Sequence, residues 1–433
     1  MRRKTIALVS SVVLLLALGL TPGPALAYVL LTTIPVPASA DNAQNGAFTG
    51  YDIAWFDGNT QLMYLADRSN ASIDIFSAKT NSFVERVGGI NNLFVGIQPK
   101  PVDPLTINND ISGPDGVVVA NFGGNKQLWA GDGPSLLKGF DLTQPSHPQL
   151  SNTPINTGAV PATRVDEMAF DPKDHLLLVA NNAASPPFAT LVDAQTRAIV
   201  GKITFDGKNL DGHMAPNATN GIEQSVWDPS HGGRFFLSIP ELNGSGPVGV
   251  AMIDPLTGNV TKVYDLGSAS LGGFAKCSPA GLALGTGGKL MVGCGVASQS
   301  ILLDPNANNG NGSTKAFPQV SGEDMVWFDP TSNRYFLAAR LNPGGPVLGI
   351  IDGLSETFLQ NVLTTPGDHS VAVDPVSGEV FVPFGGSFGT AVNHICPLGC
   401  IGVFVSPEPG SLLLLGAGLV GLGVLAWRRR GPK

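Results

Sequence analysis

The chain has 433 residues, a formal net charge of −8 and only 13% charged residues. Its 55 glycines and 34 prolines make it rich in turns, a composition that argues against a helical bundle and against disorder. Acidic residues outnumber basic ones by 33 to 25, and several of the basic residues lie at the two ends of the chain. Such an acidic body repels phosphate backbones, which argues against nucleic acid as a partner, and it suits soluble cations, calcium included.

The N-terminus has the three parts of a secretory signal peptide. Arg2, Arg3 and Lys4 precede an apolar run over 6–20, and Ala25-Leu26-Ala27 supplies a small-x-small cleavage site. We therefore predict a signal peptide over residues 1–27 and a mature protein that begins near Tyr28. An uncleaved N-terminal helix is the alternative, and the apolar run is short for a stable anchor.

The body consists of repeated units. Five stretches share an apolar run that ends in Asp, followed by Pro in four of them: 54–57, 168–172, 225–229, 325–330 and 371–375. Weaker copies lie at 116–119 and 281–284. Each predicts a short strand, and in the clear copies Asp and Pro start a turn through side-chain capping and a preset φ. Two further apolar strands and a more polar fourth strand follow in most units.

Four-stranded units that recur every ~45 to 60 residues are typical of a β-propeller. We predict an all-β fold, a seven-bladed β-propeller over residues 28–405 with an N-terminal signal peptide and a C-terminal transmembrane sorting helix. The last unit has three predicted strands and ends at 401–405, whereas 30–34 is an unassigned strand near the start. Pairing these two strands would close the ring and hide its open edges. A pair of β-sandwiches is the structural alternative.

The units resemble the YVTN-type repeats of YncE-like propellers. The resemblance lies in the order of Asp-Pro, turn, apolar strand and Ala-Asn, as at 374–382, 178–182 and 64–70. It covers most of the body, although no unit spells the family tetrapeptide. It implies a fold more than a function.

The residues that precede the innermost strands of a propeller gather at one mouth of its central channel. Here they form an acidic ring with one histidine, a candidate site for a hard cation such as Ca²⁺: Asp52, Asp115, Asp166, Glu223, Glu323 and His369. Glu167 and Asp324 adjoin two of them. The alternative is that these side chains cap strands or point to water, because a slip of one residue reverses the direction of a side chain.

Two functions are open. One is a binding or scaffold module, in which the rigid propeller presents its loops to an extracellular polysaccharide or protein. The other, which follows from the acidic ring, is a calcium-dependent lactonase similar to gluconolactonase-type propellers, with His369 as the base. The sequence has no Gly-x-Ser-x-Gly elbow, phosphate loop or zinc-protease motif, so it favours the binding module.

The cysteines are Cys277, Cys294, Cys396 and Cys400. In an exported protein we expect disulfides, with three connectivities open from the sequence. Cys277 and Cys294 flank a predicted hairpin, and Cys396 and Cys400 would close a tight loop. A thiolate metal site is the alternative, and it lacks histidines with finger-like spacing.

The C-terminal segment 406–433 has three ordered elements. Pro407-Glu408-Pro409 precedes an apolar stretch, which we predict to be a transmembrane helix over 411–427, and Arg428-Arg429-Arg430 follow. Its length is near the lower limit for a bilayer, and the arginines should stay in the cytoplasm. A GxGxxG pattern at 416–421 lies inside this apolar stretch and therefore lacks the context of a dinucleotide site.

This tail resembles the PEP-CTERM sorting signal. The resemblance implies that Pro407, Glu408 and Pro409 are the motif recognised by an exosortase-type membrane transpeptidase. It also implies an exported protein at the cell envelope, the outer surface or outside the cell, held in the membrane by the C-terminal helix before processing. Release and retention of the processed form both stay open.

Overall fold

The computed structural model describes residues 27–406 except 210, 245, 247, 297–298 and 388–391. The predicted sorting motif and helix, and all but the last residue of the predicted signal peptide, lie outside the described residues. Leu30–Val405 forms one compact unit.

The described residues form seven four-stranded antiparallel sheets, which confirms the prediction of an all-β, seven-bladed propeller. Blade 1 contains β2 (Ala54–Asp57), β3 (Leu62–Asp67), β4 (Ser72–Ser77) and β5 (Ser82–Gly88). A hairpin of β6 (Pro99–Lys100) and β7 (Asp103–Ile107) follows it. Blade 2 contains β8 (Val117–Phe122), β9 (Asn125–Asp132), β10 (Leu136–Asp141) and β11 (Ile155–Asn156).

The middle blades follow the same order along the chain. Blade 3 contains β12 (Met168–Asp171), β13 (Leu176–Asn181), β14 (Phe188–Asp193) and β15 (Ala198–Thr204). Blade 4 contains β16 (Ser225–Asp228), β17 (Arg234–Ile239), β18 (Gly249–Ile253) and β19 (Val260–Asp265). Blade 5 contains β20 (Pro279–Leu284), β21 (Leu290–Cys294), β22 (Ser300–Asp304) and β23 (Ser313–Phe317).

Blade 6 contains β24 (Met325–Asp329), β25 (Arg334–Ala339), β26 (Val347–Asp352) and β27 (Thr357–Leu363). Blade 7 contains β28 (Ala372–Val373), β29 (Val380–Phe384) and β30 (Cys400–Val405), and its outer strand is β1 (Val29–Pro35), from the start of the chain. The strand order in this sheet is β1-β30-β29-β28, so the first strand pairs with the last.

Helices are short in this fold. The structure has 3₁₀ turns at Ser230–Gly232, Ala269–Leu271 and Thr286–Gly288 and a single helical turn at Ala307–Gly310. Within the part of the chain that the structure describes, no helix is long and apolar enough to cross a membrane.

The turns between first and second strands are built by aspartate side chains. In five blades a buried Asp stands at the end of the first strand, as its last residue in four blades and directly after it in blade 7. Its Oδ1 accepts the backbone N–H two residues later, at 2.8–3.1 Å: Asp57, Asp171, Asp228, Asp329 and Asp374. A short polar side chain that caps its own turn fixes where the strand ends. This capping sets the register of each hairpin and therefore the height of each inner strand in the ring.

The apolar core lies between neighbouring blades. Leu178 and Leu191 of blade 3, for example, pack against Phe235 and Leu237 of blade 4. Similar clusters join blade 1 to blade 2 and blade 7 to blade 1. Full burial of one such side chain contributes about 1.5–3 kcal/mol, so the contacts between blades hold the ring together.

The cysteines form disulfides, as predicted. Cys277 bonds to Cys294 and Cys396 bonds to Cys400, with Cα–Cα distances of 4.6 and 6.0 Å. The first bridge joins the start of blade 5 to the end of its second strand, and the second lies beside the last strand of blade 7.

Candidate functional site

The site begins with a structural position that recurs around the ring. In five blades an acidic residue before the inner strand donates its backbone N–H to a carbonyl of the second strand, at 2.9–3.3 Å: Asp52, Asp115, Asp166, Glu223 and Asp324. Because an antiparallel pair fixes which way each side chain points, this shared bond gives these acids equivalent places.

These equivalent places surround a polar cavity of about 380 Å³. Its wall includes Asp52, Asp166, Glu167, Glu223, Asp324 and His369. Of the predicted ring, the structure therefore brings together Asp52, Asp166, Glu223 and His369. Asp115 does not line the cavity, but it is connected to Asp52 through Arg68, which contacts both carboxylates. The cavity, called here the charged mouth, has the size of a small-molecule pocket.

Arg68 links two of the acids. Its Nε donates to Oδ1 of Asp115 at 2.7 Å, and its Nη2 contacts Asp52 and Asp115. Burial raises the pKa of Asp52, but Arg68 and His369 outweigh burial and hold the pKa below its ordinary value. Asp52 is therefore a permanent negative charge next to the guanidinium.

Asp166, Glu167 and Glu223, called here the carboxylate trio, lie on the neighbouring wall. Each offers an oxygen within 4.8 Å of the other two. Arg164 Nε contacts Oδ2 of Asp166 at 2.6 Å, and Asn182 donates to Oε1 of Glu223 at 2.6 Å. Burial of these groups, together with nearby negative charges, raises the pKa of each member of the trio.

Burial raises the pKa of Glu167 well above its ordinary value, and the charges of Asp166 and Glu223 raise it further. Burial and the charge of Asp166 raise the pKa of Glu223 to about 8. Burial also raises the pKa of Asp166, and Arg164 offsets this only in part. The trio therefore holds protons more tightly than exposed carboxylates do.

His369 lines the charged mouth in a fixed orientation. Its ring stacks on Tyr51 with centroids 4.5 Å apart and planes 9° apart. Its Nδ1 lies 2.6 Å from the carbonyl oxygen of Gly367, so Nδ1 carries the proton in the neutral ring, and Nε2 lies 3.6 Å from Oδ1 of Asp52. Stacking on Tyr51 and the hydrogen bond to the backbone of Gly367 together fix the orientation of the histidine ring.

Glu323 does not reach the cavity. In blade 6 the residue that bonds to the second strand is Asp324, so Glu323, one position earlier, points the other way. It is fully buried, and it accepts the Cys294 N–H at 2.9 Å and the Ser300 hydroxyl proton. Asp324 takes its place at the mouth and pairs with Arg340 at 2.9 Å.

The positive charges of the site were not predicted from the sequence. Among the described residues, three arginines line the charged mouth: Arg68, Arg164 and Arg340. Arg68 and Arg340 each directly follow the second strand of their blade, β3 and β25. Second strands end at the mouth where inner strands begin, so this position was a signal that the strand pattern already contained.

The other half of the channel is aromatic. A cavity of about 460 Å³ is lined by inner-strand residues that include Trp55, Phe170, Trp227, Trp327 and Phe328. Trp55 and Trp327 meet across the channel with ring centroids 5.4 Å apart. The two halves of the channel therefore offer opposite chemistry.

Comparison with solved structures supports the fold. The chain is similar to Kuenenia stuttgartiensis hydrazine synthase, with a TM-score of 0.56 and 13% identity over 81% of this chain and 96% of that chain. It is also similar to a chain of a mitotic checkpoint complex, with a TM-score of 0.54 and 11% identity over 87% of this chain and 93% of that chain. Identities this low show the fold alone. No curated protein matches the sequence.

The model of the PEP-CTERM protein-sorting motif matches residues 407–430. This match covers the Pro-Glu-Pro sequence, the apolar stretch and the arginines of the tail, and it confirms the resemblance seen in the sequence. The motif marks a protein that is exported, sorted to the cell envelope and processed by an exosortase. The chain is therefore an exported seven-bladed β-propeller that carries a PEP-CTERM protein-sorting motif at its C-terminus.

Proposed function

We propose that this propeller is a binding module of the cell envelope or extracellular matrix and that it recognises a polysaccharide at the charged mouth. The observation that carries the proposal is the set of arginine–carboxylate pairs fixed in a cavity of about 380 Å³. Hydroxyl-rich ligands need donors and acceptors held side by side, and such pairs supply both. The cavity volume lies within the range of pockets that enclose a small ligand or one end of a longer one.

Arg340 and Asp324 are the members of the set best placed to meet a polymer. Their side chains keep 39% and 26% of their exposure, whereas Arg68 keeps 5%. They can therefore exchange their mutual contact for a ligand without exposing a buried charge.

The test is binding of the purified protein to polysaccharide extracted from the envelope of the producing cells. We expect Arg340→Ala to weaken binding about tenfold, the loss of one charge-assisted hydrogen bond. The matched control is Lys173→Ala, an exposed cation paired with Asp174 away from this cavity, which should bind as the wild type does. Equal binding by the Arg340 and Lys173 variants would place the ligand elsewhere on the ring.

Hydrolysis of a lactone is the second candidate, since His369 lines the same cavity as the carboxylate trio. His369 would act as the general base in this reaction. Its Nε2 would accept the proton of the attacking water, because Nδ1 donates to the carbonyl oxygen of Gly367. Turnover of gluconolactone by the purified protein that disappears in His369→Ala would favour this candidate over simple binding. No turnover by the wild type would exclude it for that substrate.

We also propose that the segment 411–427 anchors the protein in the membrane before exosortase processing. The apolar composition of this segment and the arginines that follow it support the proposal.

A further inference from the structure

The carboxylate trio is more crowded than the hydrogen bonds around it explain. Asp166, Glu167 and Glu223 place oxygens within 4.8 Å of one another. Carboxylates this close must share protons or share a cation, because bare negative charges repel each other strongly in a buried site.

Glu167 supplies a second, independent observation. The residue is only 6% exposed, and it lines the charged mouth. Its Oε2 is buried and has no hydrogen-bond partner among the described residues. A buried carboxylate oxygen without a donor is costly, so this oxygen needs a ligand from the cavity side.

The charge balance of the trio indicates the valence of that ligand. Arg164 contacts Oδ2 of Asp166 at 2.6 Å and offsets one of the negative charges. Asn182, which donates to Oε1 of Glu223, adds no charge. When all three carboxylates of the trio are ionised, a divalent cation would neutralise the remaining negative charge, whereas a monovalent cation would leave the site negative.

The backbone keeps the trio together. A Cβ atom on Gly116 of blade 2 would lie 2.0 Å from the carbonyl oxygen of Asp166, so only glycine lets blade 2 approach the trio this closely. Asp166 and Glu223 are each fixed by a backbone hydrogen bond to the second strand of their own blade, at 2.9 and 3.0 Å. The oxygens are therefore positioned before any ligand arrives.

We propose that the carboxylate trio binds a divalent cation of the calcium class at the charged mouth. Calcium accepts irregular sets of six to eight oxygens, and water or ligand hydroxyls complete the number that the trio begins. Magnesium requires a near-octahedral set and retains its water more firmly, so an asymmetric cluster of carboxylates suits calcium better. The site is narrower than the full ring that the sequence predicted, and it does not depend on the polysaccharide proposal.

The test is calorimetric titration of the EDTA-treated, dialysed full chain with calcium chloride, without any polysaccharide. We expect a single calcium per chain, a higher melting temperature in calcium, and weaker binding of magnesium. Glu167→Gln should lower calcium affinity at least tenfold. The matched control is Glu323→Gln, the same substitution at another buried glutamate, which lies outside the cavity, and its calcium affinity should stay within twofold of wild type.

Absence of both binding heat and a shift in melting temperature for the wild type would overturn the proposal. So would a Glu167→Gln variant that binds calcium as the wild type does. If that variant fails to fold, Glu223→Gln replaces it, with the same expected loss of calcium affinity. Tighter binding of magnesium than of calcium would overturn the choice of cation. Loss of polysaccharide binding alone would leave these results unaffected, so the two proposals fail separately.

Discussion

Glu323 is a buried carboxyl group that receives hydrogen bonds but no positive charge. Burial raises its pKa from 4.5 to about 7, although the Ser300 hydroxyl and the Cys294 N–H lower it. A raised pKa means that the folded protein holds this proton more tightly than the unfolded chain does. The resulting stability is fully present below pH 4.5 and is lost as the pH rises through about 7.

Glu323→Gln should remove this pH dependence. The glutamine carbonyl can accept the Cys294 N–H, and its amide can donate to Ser300 Oγ, which donates in turn to the carbonyl oxygen of Val320 at 2.9 Å. We expect the variant to gain about 1–3 kcal/mol relative to wild type between pH 5 and pH 8. Urea unfolding of both proteins at the two pH values measures this difference. Parallel pH profiles would show that Glu323 does not titrate in this range.

Arg68 is the counter-charge for two buried acids, and Arg68→Met should leave both without one. We expect a loss of about 3–5 kcal/mol in the free energy of unfolding, measured with urea at pH 7. Lys173→Met, which removes an exposed ion pair, should cost less than about 1 kcal/mol.

Adding Asp52→Asn and Asp115→Asn to the Arg68 variant should restore part of the loss, because it removes the uncompensated charges. A full loss that the added substitutions leave unchanged would assign the effect to packing of the arginine side chain.

At the scale of single residues, the sequence predicted the acidic positions of the site to within one residue. It placed acids at the start of the inner strands, and Asp52, Asp166, Glu223 and His369 do line one cavity. It chose Glu323 where Asp324 faces the cavity, because alternation along a strand reverses direction at each step and the repeat has no fixed length. Arg68 and Asp52 lie at adjacent strand ends of blade 1, whereas Asp115 belongs to blade 2, and no local pattern encodes the contact between Arg68 and Asp115.

At the scale of elements, local sequence patterns predicted more of the structure than they did at the scale of single residues. The Asp-Pro turns were visible because a capping aspartate acts on its own next residues, and the structure has that contact at Asp171 and its equivalents. The hairpin of β6 and β7 was missed, since its short strands carry no apolar run of their own. Contacts within one turn can be inferred from a sequence, whereas small insertions between units cannot.

The strand β1 provides a prediction for an element. Ile34 on this strand is 2% exposed and packs in the cluster with Phe381, Ile401 and Val403, whereas Leu31 is 53% exposed. Ile34→Asn should cost about 3 kcal/mol or more, because it removes apolar burial and buries an amide. The same change at Leu31 should cost less than about 0.5 kcal/mol. Thermal unfolding of the pair measures the contrast, and similar melting temperatures would mean that β1 contributes little to the ring.

At the scale of the whole molecule, the sorting motif determines the destination of the ring. Replacing Pro407, Glu408 and Pro409 by alanine should block processing, because the match to the motif begins at these residues. Mass spectrometry of the cell-associated protein should then find the tail intact, in the membrane fraction. A control with alanine at exposed Pro172 and Lys173 should be processed normally. A processed triple variant would show that another feature directs the cut.

The pairing of β1 with β30 has a consequence for the order of folding. Because β1 is the first strand of the body to leave the ribosome and β30 is the last, the ring cannot close until the whole domain has been synthesised. During that wait β1 is an exposed edge that invites pairing with other chains. The sorting motif starts at Pro407, two residues beyond the end of β30 at Val405. The recognition motif and the strand that completes the ring are therefore synthesised at nearly the same time. Synthesis order thus ties maturation of the tail to completion of the domain that it delivers.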